Sequence, residues 1–170
     1  MKQILIKSLL LAVLAGANFA CKDDLVYSDL VQDRLPAVPV TFPNAATFGA
    51  NPFIIVSTAG GGAIKFDLSI PANSGRTIKE ITTVVGGATG INAGSLNNAA
   101  LKFNAAPIAG SGTTATFQTT LTAFSSKYPA VVVAGIANPL TPREIAFIFL
   151  VTLDNGDQIV TQQVRARITP

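Results

Sequence analysis

The chain contains no histidine and no tryptophan, and its 170 residues include one cysteine, Cys21, and one methionine, the first residue. Without imidazole, no triad or dyad can use histidine as its base, and no zinc site can be built on histidine or on several cysteines. With Cys21 so near the start, the body of the chain has no thiol nucleophile. Charge is scarce as well: charged residues make up 12% of the chain against 49% hydrophobic residues. That balance excludes a disordered acidic or basic tail and fits a well-packed sheet with a neutral Thr/Asn/Ser-rich surface. A chain of this length is expected to hold one domain with a sizeable core.

The formal net charge is +3. Removing Lys2 and Lys7 with the leader described next leaves ten basic against nine acidic residues, or +1. These charges are scattered, and no basic stripe interleaved with aromatics accompanies them, so a nucleic-acid partner is not expected.

Residues 1–20 have the pattern of a secretory signal peptide: a positive start through Lys7, then the uncharged run SLLLAVLAGANFA from Ser8 to Ala20, ending in small residues. The run is too short for a membrane-spanning helix, which needs about 20 apolar residues. Cleavage before Cys21 would make the cysteine the first mature residue, whereas cleavage after Ala17 would leave it as a free thiol in an exposed tail. An isolated thiol in an oxidising compartment has no partner to justify it, which favours the first site.

The segment NFACKDD (Asn18–Asp24) resembles the lipid-modification site of bacterial lipoproteins, in which a small residue, here Ala20, precedes the modified cysteine. Asn18 stands where that family's motif has leucine or a similar apolar residue. The resemblance implies that Cys21 carries the lipid. The stretch CKDDL further resembles the start of many Bacteroidota lipoproteins, where lysine and acidic residues after the cysteine resemble a surface-export signal, here Lys22, Asp23 and Asp24. The alternative is that these three residues merely keep a tether solvated. The resemblance implies the outer membrane, on the cell surface or on the periplasmic face. Acyl chains contribute about 0.8 kcal/mol per buried methylene, enough for two or three of them to hold the protein on the membrane.

Residues 21–37 read as the lipidated cysteine and a flexible tether ending at prolines, and 38–170 as the folded domain. Within the domain, short apolar runs alternate with Gly, Pro, Asn and Ser, the pattern of an all-β fold. PFIIVS (52–57) is a β-branched run, and IKFDLSI (64–70) alternates, with Ile64, Phe66, Leu68 and Ile70 on one face. TIKEITTVV (77–85) slips its alternation between Ile78 and Ile81, which predicts a bulge. LKF (101–103), TATFQTTL (114–121) and AVVVAGI (130–136) are read as further strands. Leu121, Phe124 and Tyr128 fall at helical spacing and predict one short helical turn stopped by Pro129.

REIAFIFLVTL (143–153) and QIVTQQVRARI (158–168) flank Asn155-Gly156, a hairpin signal that predicts a two-residue type I′ turn. That register sets Val151 opposite Val160, Phe149 opposite Gln162, Phe147 opposite Val164, Ile145 opposite Ala166 and Glu144 opposite Arg167, with Gln163, Arg165 and Arg167 facing solvent. The expected fold is an all-β, antiparallel two-sheet sandwich of immunoglobulin or fibronectin III type with one short helical turn. The closing hairpin resembles that of the Ig-like domains in Bacteroidota surface lipoproteins, including the starch-binding accessory lipoproteins.

Candidate chemistry is sparse. Asp154 and Asp157 bracket the hairpin turn and could bind calcium weakly, but turn formation by Asn155 and Gly156 accounts for these residues. The glycine-rich stretches at 59–63 and 84–90 lack the Gly-Lys-Ser/Thr continuation of a phosphate loop. Asp67, Glu80, Glu144 and the turn aspartates show no spacing that selects a carboxylate pair for glycoside cleavage. No catalytic residue, metal or cofactor is expected. The irregular segment 86–100 is the candidate binding loop. The chain is thus expected to be a lipid-anchored envelope binding module, with the membrane as one partner and an envelope protein or glycan as another. The alternative is a structural or adhesive subunit resembling fimbrillin-type lipoproteins.

Overall fold

A computed structural model describes residues 38–48, 50–136 and 141–170. Their secondary structure is mostly strand: β1 (Phe53–Ser57), β2 (Ala63–Ser69), β3 (Ile78–Gly87), β4 (Ile108–Ala109), β5 (Thr114–Thr120), β6 (Arg143–Leu153), β7 (Gln158–Val160) and β8 (Val164–Thr169). One α-helix, α1 (Leu121–Lys127), follows β5, and short 3-10 turns occupy Ala72–Ser74, Ala93–Asn97 and Ala99–Leu101.

Alternation decides which side chains enter the core. On β2, Ile64, Phe66 and Leu68 are buried while Lys65 points outward, and β5 pairs antiparallel with it so that Phe66 lies opposite Phe117. The larger sheet has the order β1-β8-β6-β3-β4, with β7 also pairing β6. Phenylalanines join the two sheets: the Phe66 and Phe147 rings are 5.4 Å apart, and those of Phe117 and Phe149 5.5 Å apart. Each such buried ring contributes about 1.5–3 kcal/mol, which lets a domain without disulfides hold together. The helical turn forms as its spacing predicts, with Leu121, Phe124 and Tyr128 all buried. Thr120 caps it by accepting from the Ala123 N–H.

β6 is the central strand its two apolar faces predict. Its core face carries Ile145, Phe147, Phe149 and Val151. On the other face Ala146 and Ile148 are also buried, and the Ala93–Asn97 turn lies against β3 and β6. The bulge predicted in β3 is present as register shifts between Ile78 and Glu80 and between Ile81 and Thr83.

Several expectations are corrected. The sheets are not purely antiparallel, because β1 runs parallel to β8, Phe53 opposite Arg165 through Ser57 opposite Thr169. Neighbours so far apart in the chain need no direct connection, and alternation within a strand carries no information on their relative direction. LKF is not a strand: Leu101 ends a 3-10 turn, and Lys102 makes a single bridge to Val85. The side chain of Asn104 then stands in for a strand residue, accepting from Val84 N–H at 2.7 Å and donating to the Thr82 carbonyl at 3.2 Å. AVVVAGI is not a strand either, since only Ile136 bonds to the sheet, through the Ile168 carbonyl. Val131 and Val133 pack against the core and leave Val132 exposed.

The type I′ turn is also corrected. Gly156 has φ +91° while Asn155 keeps a negative φ, and the loop has three residues, closed by Gly156 N–H to the Leu153 carbonyl and Leu153 N–H to the Asp157 carbonyl. Val151 therefore lies opposite Ile159, not Val160. An extra residue after Thr161 restores the offset, so Glu144 does face Arg167, Ile145 faces Ala166 and Phe147 faces Val164. Phe149 meets Thr161 instead of Gln162: its N–H donates to Thr161 Oγ1 and its carbonyl accepts from Thr161 N–H.

Candidate functional site

Cys21, Lys22, Asp23 and Asp24 lie outside the described residues, as does the whole leader. Among the described residues no helix is long and apolar enough to cross a membrane. Asn155 and Gly156 occupy the hairpin turn, where Asn155 Nδ2 donates to Asp157 Oδ2 at 2.6 Å and Asn155 Oδ1 accepts from Asp157 N–H. Asp154 instead fastens the turn to β3 by accepting from Thr77 N–H. The carboxylates at the turn are therefore engaged in local structure.

The candidate loop 86–100 is built rather than loose. Gly86 and Gly87 complete β3, and a methyl group on Gly86 would approach within 2.9 Å of the Tyr128 ring, so a larger residue there would have to push that ring aside. Tyr128 Oη accepts from Gly86 N–H at 3.0 Å and donates to the Leu101 carbonyl at 2.6 Å, tying the two ends of the segment together. Burial pushes the Tyr128 hydroxyl up to about 12, against the smaller opposite pull of the Gly86 N–H. Within the loop, Asn92 caps the Ala93–Asn97 turn by accepting from Gly94 N–H, while its own N–H donates to Ser95 Oγ.

Gln163 fixes the near side of the loop. Its Nε2 donates to the Thr89 and Ile91 carbonyls at 3.0 and 2.8 Å, and its Oε1 accepts from Arg165 Nε and Asn51 Nδ2. Arg165 and Arg167 then converge on Glu144, each 2.7 Å from one carboxylate oxygen, and the Arg167 guanidinium lies 3.5 Å from the centroid of the Phe53 ring. The expected solvent-facing row of β8 is thus a half-buried network. Alternation along β8 showed which side these residues take but not that a distant loop and the parallel strand β1 would cover it.

This scaffold frames a cleft of about 520 Å³, within the range of small-molecule sites. It is lined by Ala88 and Thr89 of the candidate loop, by residues 130–132 and 136, and by residues 141–144 at the start of β6. Arg143 and Glu144, at the start of β6, are among its lining residues. Arg143 Nε is buried and has no hydrogen-bond partner among the described residues. Sequence reasoning pointed to the loop but missed Arg143, which reads as a surface charge at a strand start.

Among the described residues, no group of three or more Asp, Glu or Cys side chains is placed to hold a metal ion. Comparison of the chain with protein-family models, with curated proteins and with solved structures finds no match.

Proposed function

We propose that the chain is a lipid-anchored binding module of the cell envelope, held to the outer membrane through Cys21 and displayed on the cell surface, without catalytic activity. The observation that carries the binding role is the 520 Å³ cleft, whose walls come from the candidate loop, from residues 130–132 and 136, and from the start of β6. An envelope protein or a glycan is the class of partner. A binding role is supported further by the use of the carboxylates: Asp67 accepts from Thr116 and pairs with Lys65, Glu144 holds two arginines, and Asp154 binds Thr77. None of these is paired with a second carboxylate for acid–base work.

The finer reading of the fold is an immunoglobulin-type sandwich. The order β8-β6-β3-β4 on one side and β2-β5 on the other supports it, matching a G-F-C-C′ sheet against strands B and E.

A second reading, the structural or adhesive subunit, draws on one observation. β5 is an outer strand whose only partner strand among the described residues is β2, so a strand could add along Thr114–Thr120. Asn44 weighs against the same use of β2, because its side chain already donates to the Lys65 carbonyl and accepts from Asp67 N–H. The two readings separate in solution. A monomer whose melting temperature rises with an envelope glycan or protein supports the binding module. Polymer ladders on mildly denaturing gels, with no ligand-dependent stabilisation, would replace it with the adhesive subunit.

A further inference from the structure

We infer that Asn155 is a self-modification site: its side-chain amide is lost to the neighbouring Gly156 nitrogen when the hairpin tip opens, and the product keeps the tip from closing again. Asn155 is the only asparagine of the chain followed by glycine. Any other residue at that position would carry a Cβ beside the attacking nitrogen, whereas Gly156 has none, and a methyl built there would meet nothing within 4 Å. Residues 154–157 are exposed, so water reaches the amide.

The step balances with water as the co-reactant. The Gly156 backbone nitrogen gives up its proton and bonds to Cγ of Asn155, the bond from Cγ to Nδ2 breaks, and ammonia leaves with that proton. Water then opens the cyclic imide. Cleavage of the new bond leaves an ordinary carboxylate side chain at position 155, and cleavage of the original peptide bond leaves an isoaspartyl link whose main chain runs through Cβ and Cγ.

The folded hairpin restrains both reacting groups. Gly156 N–H donates to the Leu153 carbonyl at 3.0 Å, which engages the proton that must leave. Asn155 Oδ1 accepts from Asp157 N–H at 3.1 Å and Nδ2 donates to Asp157 Oδ2 at 2.6 Å, which holds the amide against Asp157. Attack requires these bonds to part. The tip can do so locally, because β7 is three residues long and its only partner strand among the described residues is β6.

The product cannot remake the clasp. An asparagine side chain offers both a donor and an acceptor, whereas a carboxylate only accepts and would face Asp157 across the contact that Nδ2 now fills. The isoaspartyl link also lengthens the main chain inside the loop that the Leu153 N–H closes on the Asp157 carbonyl at 2.9 Å. Asp154 ties the tip to the residue before β3, accepting from Thr77 N–H and donating its own N–H to the Thr77 carbonyl, so the loosening reaches Thr77.

The test is peptide mapping by mass spectrometry of the full chain, aged at mildly alkaline pH in water enriched in heavy oxygen, folded and in urea. Conversion of amide to acid, with uptake of heavy oxygen, is expected first at Asn155, and about tenfold faster in urea than in the folded protein. Asp157→Ala should narrow that ratio by speeding the folded reaction, and Gly156→Ala should slow the reaction in urea. Hydrogen exchange at the Thr77 and Leu153 amides should quicken in the converted fraction. If another asparagine converts first in urea, or Gly156→Ala converts as fast as the wild type there, the site assignment is overturned. Equal wild-type rates in the two states, or an unchanged ratio in Asp157→Ala, overturn the restraint by the hairpin. Unchanged exchange at Thr77 and Leu153 after conversion overturns the lasting opening of the tip.

Discussion

The hydroxyl of Tyr128 sits 3.0 Å from the backbone nitrogen of Gly86, with its ring packed where any larger residue at 86 would project. The same hydroxyl reaches the Leu101 carbonyl, so one side chain on the far end of α1 closes a fifteen-residue excursion and positions the cleft wall at Ala88 and Thr89. Tyr128→Phe leaves a buried N–H and a carbonyl short of a partner and should cost about 1–3 kcal/mol in urea unfolding. Gly86→Ala drives a methyl against the ring and should cost a similar 1–3 kcal/mol by overpacking. Hydrogen exchange should quicken across 88–101 in both variants, and an unchanged loop would show that the clamp is not what orders it.

Alkaline stability follows from the same hydroxyl. Its folded pKa is raised from 10.0 to about 12. The folded state therefore holds this proton where the unfolded chain has lost it. The contribution is fully present below pH 10 and is lost as pH rises toward 12. The stability difference between wild type and Tyr128→Phe should shrink over that window. A difference that stays constant to pH 12 contradicts the assignment.

Two asparagines close sheet edges. Asn104 satisfies Val84 N–H and the Thr82 carbonyl on β3 in a partly buried setting, whereas Asn44 does the same for Lys65 and Asp67 on the exposed edge of β2. Asn104→Ala should cost about 1–3 kcal/mol, and Asn44→Ala less than 1 kcal/mol because water replaces its bonds. Both variants expose strand edges and should increase self-association in light scattering.

Glu144 is the hub of the outer network, with its side chain 12% exposed between Arg165 and Arg167. Glu144→Gln leaves two half-buried guanidiniums without their anion and should cost about 1–3 kcal/mol, with modest dependence on salt because the group is sheltered. A double-mutant cycle with Arg165→Gln should return a coupling of opposite charges, and a coupling near zero would show that the pair is decorative.

Much of the strand content was legible from alternation, as in β2, where every second residue is apolar, and from the helical spacing of Leu121, Phe124 and Tyr128. Strand direction was not legible, because β1 and β8 meet only after the whole chain has folded between them. Asn-Gly marked the hairpin, yet its loop length was settled by Gly156 alone taking positive φ, and the register then depended on a compensating extra residue near Thr161 that a strand pattern does not display. The AVVVAGI run has the composition of a strand, but its residues are spent on core packing and on one wall of the cleft. Of the candidate site, the loop was visible through its glycine and asparagine content. Arg143 was not, since it reads as a surface charge at a strand start.

Anchoring through a lipid on Cys21 is the central claim. Labelling cells that express the full chain with radioactive palmitate, and comparing wild type with Cys21→Ser, tests it directly. Label is expected on the wild type and none on the variant, with a mature protein whose first residue is a lipid-modified Cys21. Label retained by Cys21→Ser, or mature wild-type protein that begins at a residue other than Cys21, would contradict it.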